Sequence, residues 1–273
     1  MLMLSIIIPT FNSASTIERC LQSIAIQTFA NYEVIVQDGS PNYHTARKIE
    51  EFQQAHKNLA IRLYHEADRG VYEAMNKAAA KAQGEWIYFL GSDDELFDDH
   101  VLASVITMPN TNGCNVLYGN VQVIGDGCGV KSGSLYDGQF SLSKLLNRNI
   151  CHQAIFYRAK FAKQIGAYNT NYPSLADWDF NLRCWAQTRF RYLGTTIAKF
   201  YIGGLSNSGS LDERFYADMA ANILNYFRFS LLNPLVNSPG FAGLSGIRKM
   251  QFARGKLLGI SGRVMRGAIR YIG

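Results

Sequence analysis

Four short apolar runs, three of which are followed by a segment with helical spacing, constrain the fold of this chain most strongly. The predicted strands cover residues 4–9, 32–37, 61–65 and 86–90. The predicted helices between them cover residues 13–27, 45–56 and 71–82. Alternating strands and helices of this length predict a mostly parallel, Rossmann-like sheet with helices on both faces. The 273 residues suffice for one large α/β domain with a small appendage.

The fourth run belongs to the most informative stretch, Glu85–Glu95. Its apolar part is short and aromatic-rich, which is typical of a strand buried on both faces. Three acids follow it: Asp93, Asp94 and Glu95. Adjacent carboxylates repel one another, so a bound divalent cation, Mg²⁺ or Mn²⁺, explains the cluster. The alternative is an acidic helix N-terminus capped by Ser92 or Asp93.

Each of the four predicted strands ends in a polar cluster. The clusters are Thr10-Phe11-Asn12, Asp38-Gly39-Ser40, Asp68-Arg69-Gly70 and Ser92-Asp93-Asp94. The carboxyl ends of parallel strands meet at one edge of a sheet, and this edge is where open α/β sheets bind ligands. A single aspartate after a strand is usually a helix cap, but capping requires neither Phe11 nor Arg69. The pattern therefore favours a ligand site at this edge.

The second half of the chain is less regular. Strands are predicted at 115–124, 152–157 and 192–201, and helices at 140–146, 158–165, 176–185, 211–232 and 244–271. Residues 126–140 and 203–209 are rich in Gly and Ser, which predicts loops. The helix that starts at Ala176 places Asp177 in its first turn, where it is either a functional carboxylate or a helix cap.

Charge and cysteine content restrict the cellular setting. The five cysteines are scattered without metal-ligand spacing, which predicts reduced thiols in a cytoplasmic protein. The net charge is +6, yet residues 219–273 contain eight basic residues and no acid. The first 218 residues therefore hold 19 basic and 21 acidic residues, a net charge of −2. The positive charge belongs to the C-terminal tail.

The tail interleaves its basic residues with apolar ones. Such an amphipathic basic helix suits an anionic membrane surface, here the inner face of the plasma membrane. The alternative is a solvated basic face that packs on the core. A nucleic-acid partner is not expected, because the rest of the chain is slightly acidic and shows no recognised binding module.

The motifs, taken in order, resemble the inverting family 2 glycosyltransferases with the GT-A fold. They are Ile-Ile-Ile-Pro-Thr-Phe-Asn, Val-Gln-Asp-Gly-Ser, Asp-Arg-Gly-Val-Tyr-Glu-Ala-Met-Asn-Lys-Ala and Phe-Leu-Gly-Ser-Asp-Asp-Glu. Later segments, His-Gln-Ala-Ile-Phe, Leu-Ala-Asp-Trp-Asp-Phe-Asn-Leu-Arg and Gly-Gly-Leu-Ser, resemble the branch that builds bacterial exopolysaccharide and lipopolysaccharide repeat units, colanic-acid type enzymes among them. The resemblance covers residues 3–210.

The resemblance implies a domain division. Residues 1–210 would form the GT-A domain, with a nucleotide-binding half at 1–95 and an acceptor half at 96–210. Residues 211–273 would form a helical basic extension. The implied partners are a nucleotide-sugar donor, expected to carry UDP, and a polyprenyl-diphosphate-linked sugar acceptor.

The resemblance also implies roles for single residues. The base would be held by Thr10, Phe11, Asp38 and Arg69. Phe11 would stack on the ring, and Asp38 would accept from a ring N–H. Asp93 would contact the ribose side, and Asp94 would bind the divalent metal that bridges the two phosphates.

Asp177 matches the family's catalytic base, with Asp179 as the rival. His152, Gly204 and Ser206 would contact the phosphates or the acceptor. Three departures accompany the match: Gly91 and Ala176 stand where many relatives carry an acid or amide and a glutamate, and a Gln-x-x-Arg-Trp segment is lacking, which argues against a processive synthase. An inactive nucleotide-sugar-binding scaffold on the same fold is the alternative function.

Overall fold

The computed structural model describes residues 2–108, 113–126, 130–203 and 212–232. The strands are β1 (Leu4–Thr10), β2 (Tyr32–Asp38), β3 (Ile61–His65), β4 (Trp86–Phe89), β5 (Glu95–Leu96), β6 (Val116–Ile124), β7 (Leu135–Tyr136), β8 (Ile155–Arg158) and β9 (Phe190–Tyr201). The helices are α1 (Ile17–Ala25), α2 (His44–Ala55), α3 (Val71–Ala79), α4 (Val101–Ile106), α5 (Leu142–Leu145), α6 (Ala159–Ile165), α7 (Ala176–Trp185) and α8 (Glu213–Leu232).

Within the described residues the strands form one nine-stranded sheet in the order β3-β2-β1-β4-β8-β6-β9-β5, with β7 paired to β6. Strands β1 to β4 pair in parallel, as the sequence predicts. Strand β8 runs antiparallel to both of its neighbours, β4 and β6, so the second half of the sheet is mixed. The parallel half therefore carries four strand ends to one edge.

The sheet is covered on both faces, again as predicted. Alternate residues of β1 separate the two cores: Ile6 and Ile8 pack with α1, α2 and α4, while Ile7 packs with α3, α7 and α8. Every residue of β1 is buried, which explains its unbroken apolar run. Helix α8 places Phe215 and Met219 in the same core as α7, so the first part of the predicted extension, as far as Phe227, packs on the domain.

Several local predictions differ from the structure. The predicted strand at 152–157 begins instead with a 3-10 turn, His152–Ala154, and becomes extended only at Ile155. Helix α1 starts after Thr16 without a side-chain cap; the Thr16 hydroxyl donates to the Ser13 carbonyl, and the Ser13 hydroxyl is bonded to that of Ser92. Elements β5, α4 and β7 were not predicted.

The predicted basic helix at 244–271 lies outside the described residues, as does the loop at 204–209. None of the helices in the described part of the chain combines the length and the apolar character that crossing a bilayer requires.

A close approach of two backbones at Gly84 yields a first prediction. A Cβ atom at Gly84 would lie 2.5 Å from the Ser5 nitrogen and 2.6 Å from the Leu4 carbonyl carbon. Because both are backbone atoms of a central strand, Gly84→Ala is expected to lower the free energy of unfolding by about 1–3 kcal/mol. Urea denaturation measures this, with the exposed neighbour Gln83→Ala as control. Equal midpoints for Gly84→Ala and the wild type would contradict the close approach.

Candidate active site

The register of the parallel strands assembles one polar edge. Thr10 at the end of β1 is the partner of Asp38 at the end of β2, and Asp38 is the partner of His65 at the end of β3. The loop after β4 joins this edge, since the Ser92 hydroxyl lies 2.8 Å from the Ser13 hydroxyl. The strand-end clusters therefore meet as the sequence predicts.

Asp38 lies at the centre of this edge and is fully buried, with 0% exposure. Its Oδ1 accepts hydrogen bonds from the Thr10 hydroxyl at 2.8 Å and from the Ser40 hydroxyl at 2.5 Å. Its Oδ2 lies 2.8 Å from His65 Nδ1. In this arrangement a ring N–H would reach the Asp38 carboxylate only if a neighbouring group moved, and the contact between Asp38 and a base stays a prediction. Asp38 orders the surrounding loops.

The other residues predicted at the base site are accessible. Phe11 is 59% exposed, so one face of its ring is free to stack. The Arg69 side chain is 86% exposed and paired with Glu73 at 2.8 Å. Asp68, which belongs to a predicted strand-end cluster but has no predicted role, places its carboxylate over Gly39, where a Cβ atom would lie 2.0 Å from Oδ2. Burial raises the pKa of Asp68.

Asp93 and Asp94 differ sharply in their surroundings. Asp94 is 1% exposed, and its two oxygens accept from the Tyr201 N–H at 2.8 Å and the Gln153 amide at 2.7 Å. Burial, and then the charge of Asp93, raise the pKa of Asp94 to about 7. Asp93 is half-buried, and within the described residues no hydrogen bond to its carboxylate is found. Arg19 holds its carbonyl at 2.5 Å.

Gly91 lies directly beside the carboxylates of both Asp93 and Asp94. A Cβ atom at this position would lie 2.5 Å from Asp94 Oδ2 and 2.9 Å from Asp93 Oδ1. Two carboxylate oxygens thus face the same small space, and glycine leaves that space open. Many relatives carry an acid or amide at this position; here a side chain would collide with the carboxylates of Asp93 and Asp94.

The donor set fits a hard divalent cation. Carboxylate oxygens suit Mg²⁺ and Mn²⁺, and Mg²⁺ is commonly bound by one or two carboxylates together with substrate phosphates. Among the residues that the structure describes, no group of three or more His, Cys, Asp or Glu side chains forms a site by itself. An ion held here by Asp94 would therefore need oxygens of a bound diphosphate as well.

Asp177 lies in the first turn of α7, as predicted. The Tyr72 hydroxyl donates to its Oδ1 at 2.7 Å, and the Asn149 amide donates to its Oδ2 at 2.6 Å. Burial raises the pKa of Asp177 to about 6, although the bonds from Tyr72 and Asn149 lower it in part. A carboxylate with this pKa is ionised at neutral pH and still able to accept a proton.

Asp179, the alternative candidate for the catalytic base, has both carboxylate oxygens bonded to other side chains. It is 2% exposed, with Arg183 Nε 3.0 Å from Oδ2 and the Tyr226 hydroxyl donating to Oδ1 at 2.7 Å. Because Tyr226 belongs to α8, Asp179 joins α7 to α8 inside the helical layer. Its carboxylate therefore serves packing in this structure.

The short segment 149–153 contacts both Asp177 and Asp94. Asn149 bonds to Asp177 and Gln153, four residues later, bonds to Asp94. The two predicted carboxylates therefore lie on the same side of the molecule, linked through residues 149–153. The sequence predicts a role for neither of these amides nor for Tyr72. Gln153 and Tyr72 lie inside family-like motifs, whereas no local signal marks Asn149.

His152 is turned into the protein. Its ring centroid lies 5.0 Å from that of Phe89 and 5.8 Å from that of Tyr168. Both ring nitrogens and the Tyr168 hydroxyl are buried and find no hydrogen-bond partner among the residues that the structure describes, and burial lowers the pKa of His152 to about 4. Its predicted contact to phosphate or acceptor would need the ring to turn outward. Gly204 and Ser206 lie outside the described residues.

The fold is that of the GT-A glycosyltransferases. S. aureus TarS 1–349 in complex with UDP superposes with a TM-score of 0.66 at 21% identity, covering 94% of this chain and 80% of that one. The chain spans 43% of the longer TarS structure. Mannosyltransferase PcManGT from Pyrobaculum calidifontis, in complex with GDP-Man and Mn²⁺, superposes with a TM-score of 0.57 at 15% identity over 99% of this chain and 80% of that one.

The chain belongs to glycosyl transferase family 2, whose family model matches residues 5–165. A PGL/p-HBAD biosynthesis glycosyltransferase of Mycobacterium tuberculosis is 41% identical over 220 residues, 78% of this chain and 82% of the relative. The UDP-Glc:alpha-D-GlcNAc-diphosphoundecaprenol beta-1,3-glucosyltransferase WfgD of Escherichia coli is 34% identical over 122 residues, 45% and 47% of the two chains. These relatives are glycosyltransferases.

Proposed function

We propose that this protein transfers a sugar from a nucleotide-sugar donor, UDP-linked, to a lipid-linked or saccharide acceptor with inversion at the anomeric carbon. One observation carries the proposal: Asp94 and Asp177 are both bonded to the segment 149–153. A leaving diphosphate needs the first carboxylate, through a cation, and an attacking hydroxyl needs the second. A site that joins the two suits group transfer better than nucleotide storage.

The donor would lie across the ends of the parallel strands. The exposed ring of Phe11 would stack on the base. Arg69, which follows Asp68 in the sequence and has an exposed side chain, would also contact the base. Thr10 and Asp38 support the loops beneath. Asp93, the freer carboxylate, would meet the ribose side, and Asp94 the cation. The UDP bound by TarS supports a uridine nucleotide here.

A divalent cation, Mg²⁺ or Mn²⁺, would supply positive charge for the diphosphate as it leaves. The Mn²⁺ in PcManGT supports this choice. The protein's own part is to hold two carboxylate oxygens over Gly91 and to keep the Asp94 carboxylate fixed through Tyr201 and Gln153.

Asp177 would act as the general base. Its side-chain partners, Tyr72 and Asn149, are both neutral donors, so the carboxylate keeps its negative charge and can take the proton of the acceptor hydroxyl. As the hydroxyl oxygen bonds to the anomeric carbon, its proton passes to Asp177 and the bond from that carbon to the diphosphate oxygen breaks. Attack opposite the leaving group inverts the configuration.

The acceptor is proposed to be a polyprenyl-diphosphate-linked sugar, as in the name of WfgD. The product would belong to a bacterial surface polysaccharide, in the exopolysaccharide and lipopolysaccharide branch. Residues 219–273, with eight basic residues and no acid, would hold the enzyme on the anionic inner face of the plasma membrane.

A panel of nucleotide sugars with an undecaprenyl-diphosphate-linked GlcNAc acceptor tests the proposal. Release of the nucleoside diphosphate should depend on both acceptor and donor, and NMR of the product should show an inverted anomeric carbon. Calorimetry with UDP, with and without Mn²⁺, runs in parallel. Binding of UDP without turnover of any donor would favour the inactive scaffold instead, and absence of UDP binding would reject both.

A further inference from the structure

The segment from Asn149 to Gln153 lies between the two carboxylates of the site. Asn149 Nδ2 donates to Asp177 Oδ2 at 2.6 Å, and Gln153 Nε2 donates to Asp94 Oδ2 at 2.7 Å. The bonded oxygen of Asp94 is the one that faces the space over Gly91. Ile150 is 1% exposed, and the 3-10 turn at His152–Ala154 shortens the segment. One short piece of chain therefore contacts both acids.

Each amide is held in one orientation. Asn149 Oδ1 accepts from Asn181 Nδ2 at 2.9 Å, and Asn181 Oδ1 accepts from the Tyr157 hydroxyl at 2.7 Å. Because the oxygen end of the Asn149 amide is occupied by a donor, its NH₂ end must face Asp177. Gln153 Oε1 is held in the same way by the Cys151 thiol at 3.1 Å.

The donors around Asp177 are neutral, which suits a base. A nearby cation would stabilise the carboxylate and lower its pKa, whereas an amide fixes its direction with a smaller effect. Among the described residues, five titratable groups interact with the charge of Asp177, and each is uncharged near neutral pH. They are Tyr72 from α3, Tyr136 from β7, Cys151 from the segment, Tyr157 from β8 and Tyr168 from the loop before α7.

We infer that Asn149 and Gln153 are positioning residues, Asn149 for the base and Gln153 for the carboxylate on the metal side. Residues 149–153 would then set the spacing between the group that activates the acceptor and the group that holds the diphosphate. This rests on the proposed function.

Two alanine variants separate the two roles. Asn149→Ala should move the acid limb of the pH profile of kcat/KM for the acceptor upward by about one pH unit, because Asp177 loses a donor to its charged form. The Kd of Mn²⁺ in the presence of UDP should not change. Gln153→Ala should raise that Kd about tenfold and leave the acid limb in place.

Further variants guard against simple misfolding. Asn149→Asp keeps the size of the side chain and should move the acid limb in the same direction as Asn149→Ala. Asn147→Ala, an exposed residue of the preceding turn, is the matched control and should behave as the wild type. The pKa of Asp177, followed by NMR of its carboxyl carbon, reports on the base without turnover.

The outcomes are distinct. An unmoved Asp177 pKa in Asn149→Ala, or an unmoved Mn²⁺ affinity in Gln153→Ala, overturns the corresponding role. Exchange of the two effects between the variants overturns both. If the wild type transfers no sugar from any donor, the proposed function fails instead, while calorimetry and NMR still decide the positioning roles.

Discussion

Asp177→Asn is expected to lower the rate of sugar transfer about a thousandfold, the usual contribution of a general base, while the protein stays folded. The amide can satisfy every neighbour of the carboxylate. Its Nδ2 would donate to the Tyr72 hydroxyl oxygen, which lies 2.9 Å from the Ser174 carbonyl oxygen and can turn its proton there, and its Oδ1 would accept from Asn149. Steady-state kinetics measures the loss of transfer, and calorimetry measures the affinity for UDP, which should not change.

The same variant should be more stable than the wild type at high pH. The pKa of Asp177 is about 6 in the folded protein, against 3.8 for the free group, so folding favours its protonated form. Stability that is present below the unfolded pKa is therefore lost as the pH rises through about 6. Asparagine removes this loss, so the unfolding free energy should exceed that of the wild type by about 1–3 kcal/mol at pH 8, and by much less at pH 4. Urea denaturation at the two pH values measures the difference.

Asp179→Asn is the informative control for the base. Asp179 forms a buried ion pair with Arg183, so its substitution should cost about 3–5 kcal/mol of stability. Transfer per folded molecule should nevertheless stay close to that of the wild type. If Asp179→Asn abolished transfer and Asp177→Asn did not, the assignment of the base would be reversed.

The parallel half of the sheet could be predicted because its signals are local. Each strand is a short apolar run, and the rule that parallel strands end at one edge places Thr10, Asp38 and the acids of the fourth strand together. The burial of Asp38 could not be predicted, since it depends on which strand lies beside β2 and brings His65 within 2.8 Å.

Other parts of the site depend on contacts that are distant in sequence. Strand β5 has two residues, and its partners Lys199 and Ala198 lie about a hundred positions downstream. Asn149 carries no charge and lies in none of the motifs, so nothing near it in sequence marks its role. Gln153 lies in the motif His-Gln-Ala-Ile-Phe, but the motif does not reveal its contact with Asp94. The role of Gly91 could not be predicted either, because it depends on the space beside Asp93 and Asp94 that a Cβ atom would fill.

The carboxylate pair gives the second large effect. Asp94→Asn is expected to raise the Kd of Mn²⁺ in the presence of UDP more than tenfold and to lower transfer at least a hundredfold. Both oxygens of Asp94 accept from N–H donors, Tyr201 and Gln153, so an amide NH₂ would face a donor in either orientation. Asp94→Asn should therefore also lower the melting temperature.

Asp93→Asn, compared with Asp94→Asn, tests which of the two carboxylates binds the ion. Since no hydrogen bond to the Asp93 carboxylate is found within the described residues, this variant should melt at the wild-type temperature. If Asp93 contacts the ribose and Asp94 the ion, Asp93→Asn weakens UDP binding without Mn²⁺, whereas Asp94→Asn weakens binding of the ion. The exposed Asp99→Asn serves as the control for charge alone. Loss of Mn²⁺ affinity in Asp93→Asn, with wild-type affinity in Asp94→Asn, would transfer the metal to Asp93 and leave Asp94 as the buried acceptor that holds Tyr201 and Gln153 in place.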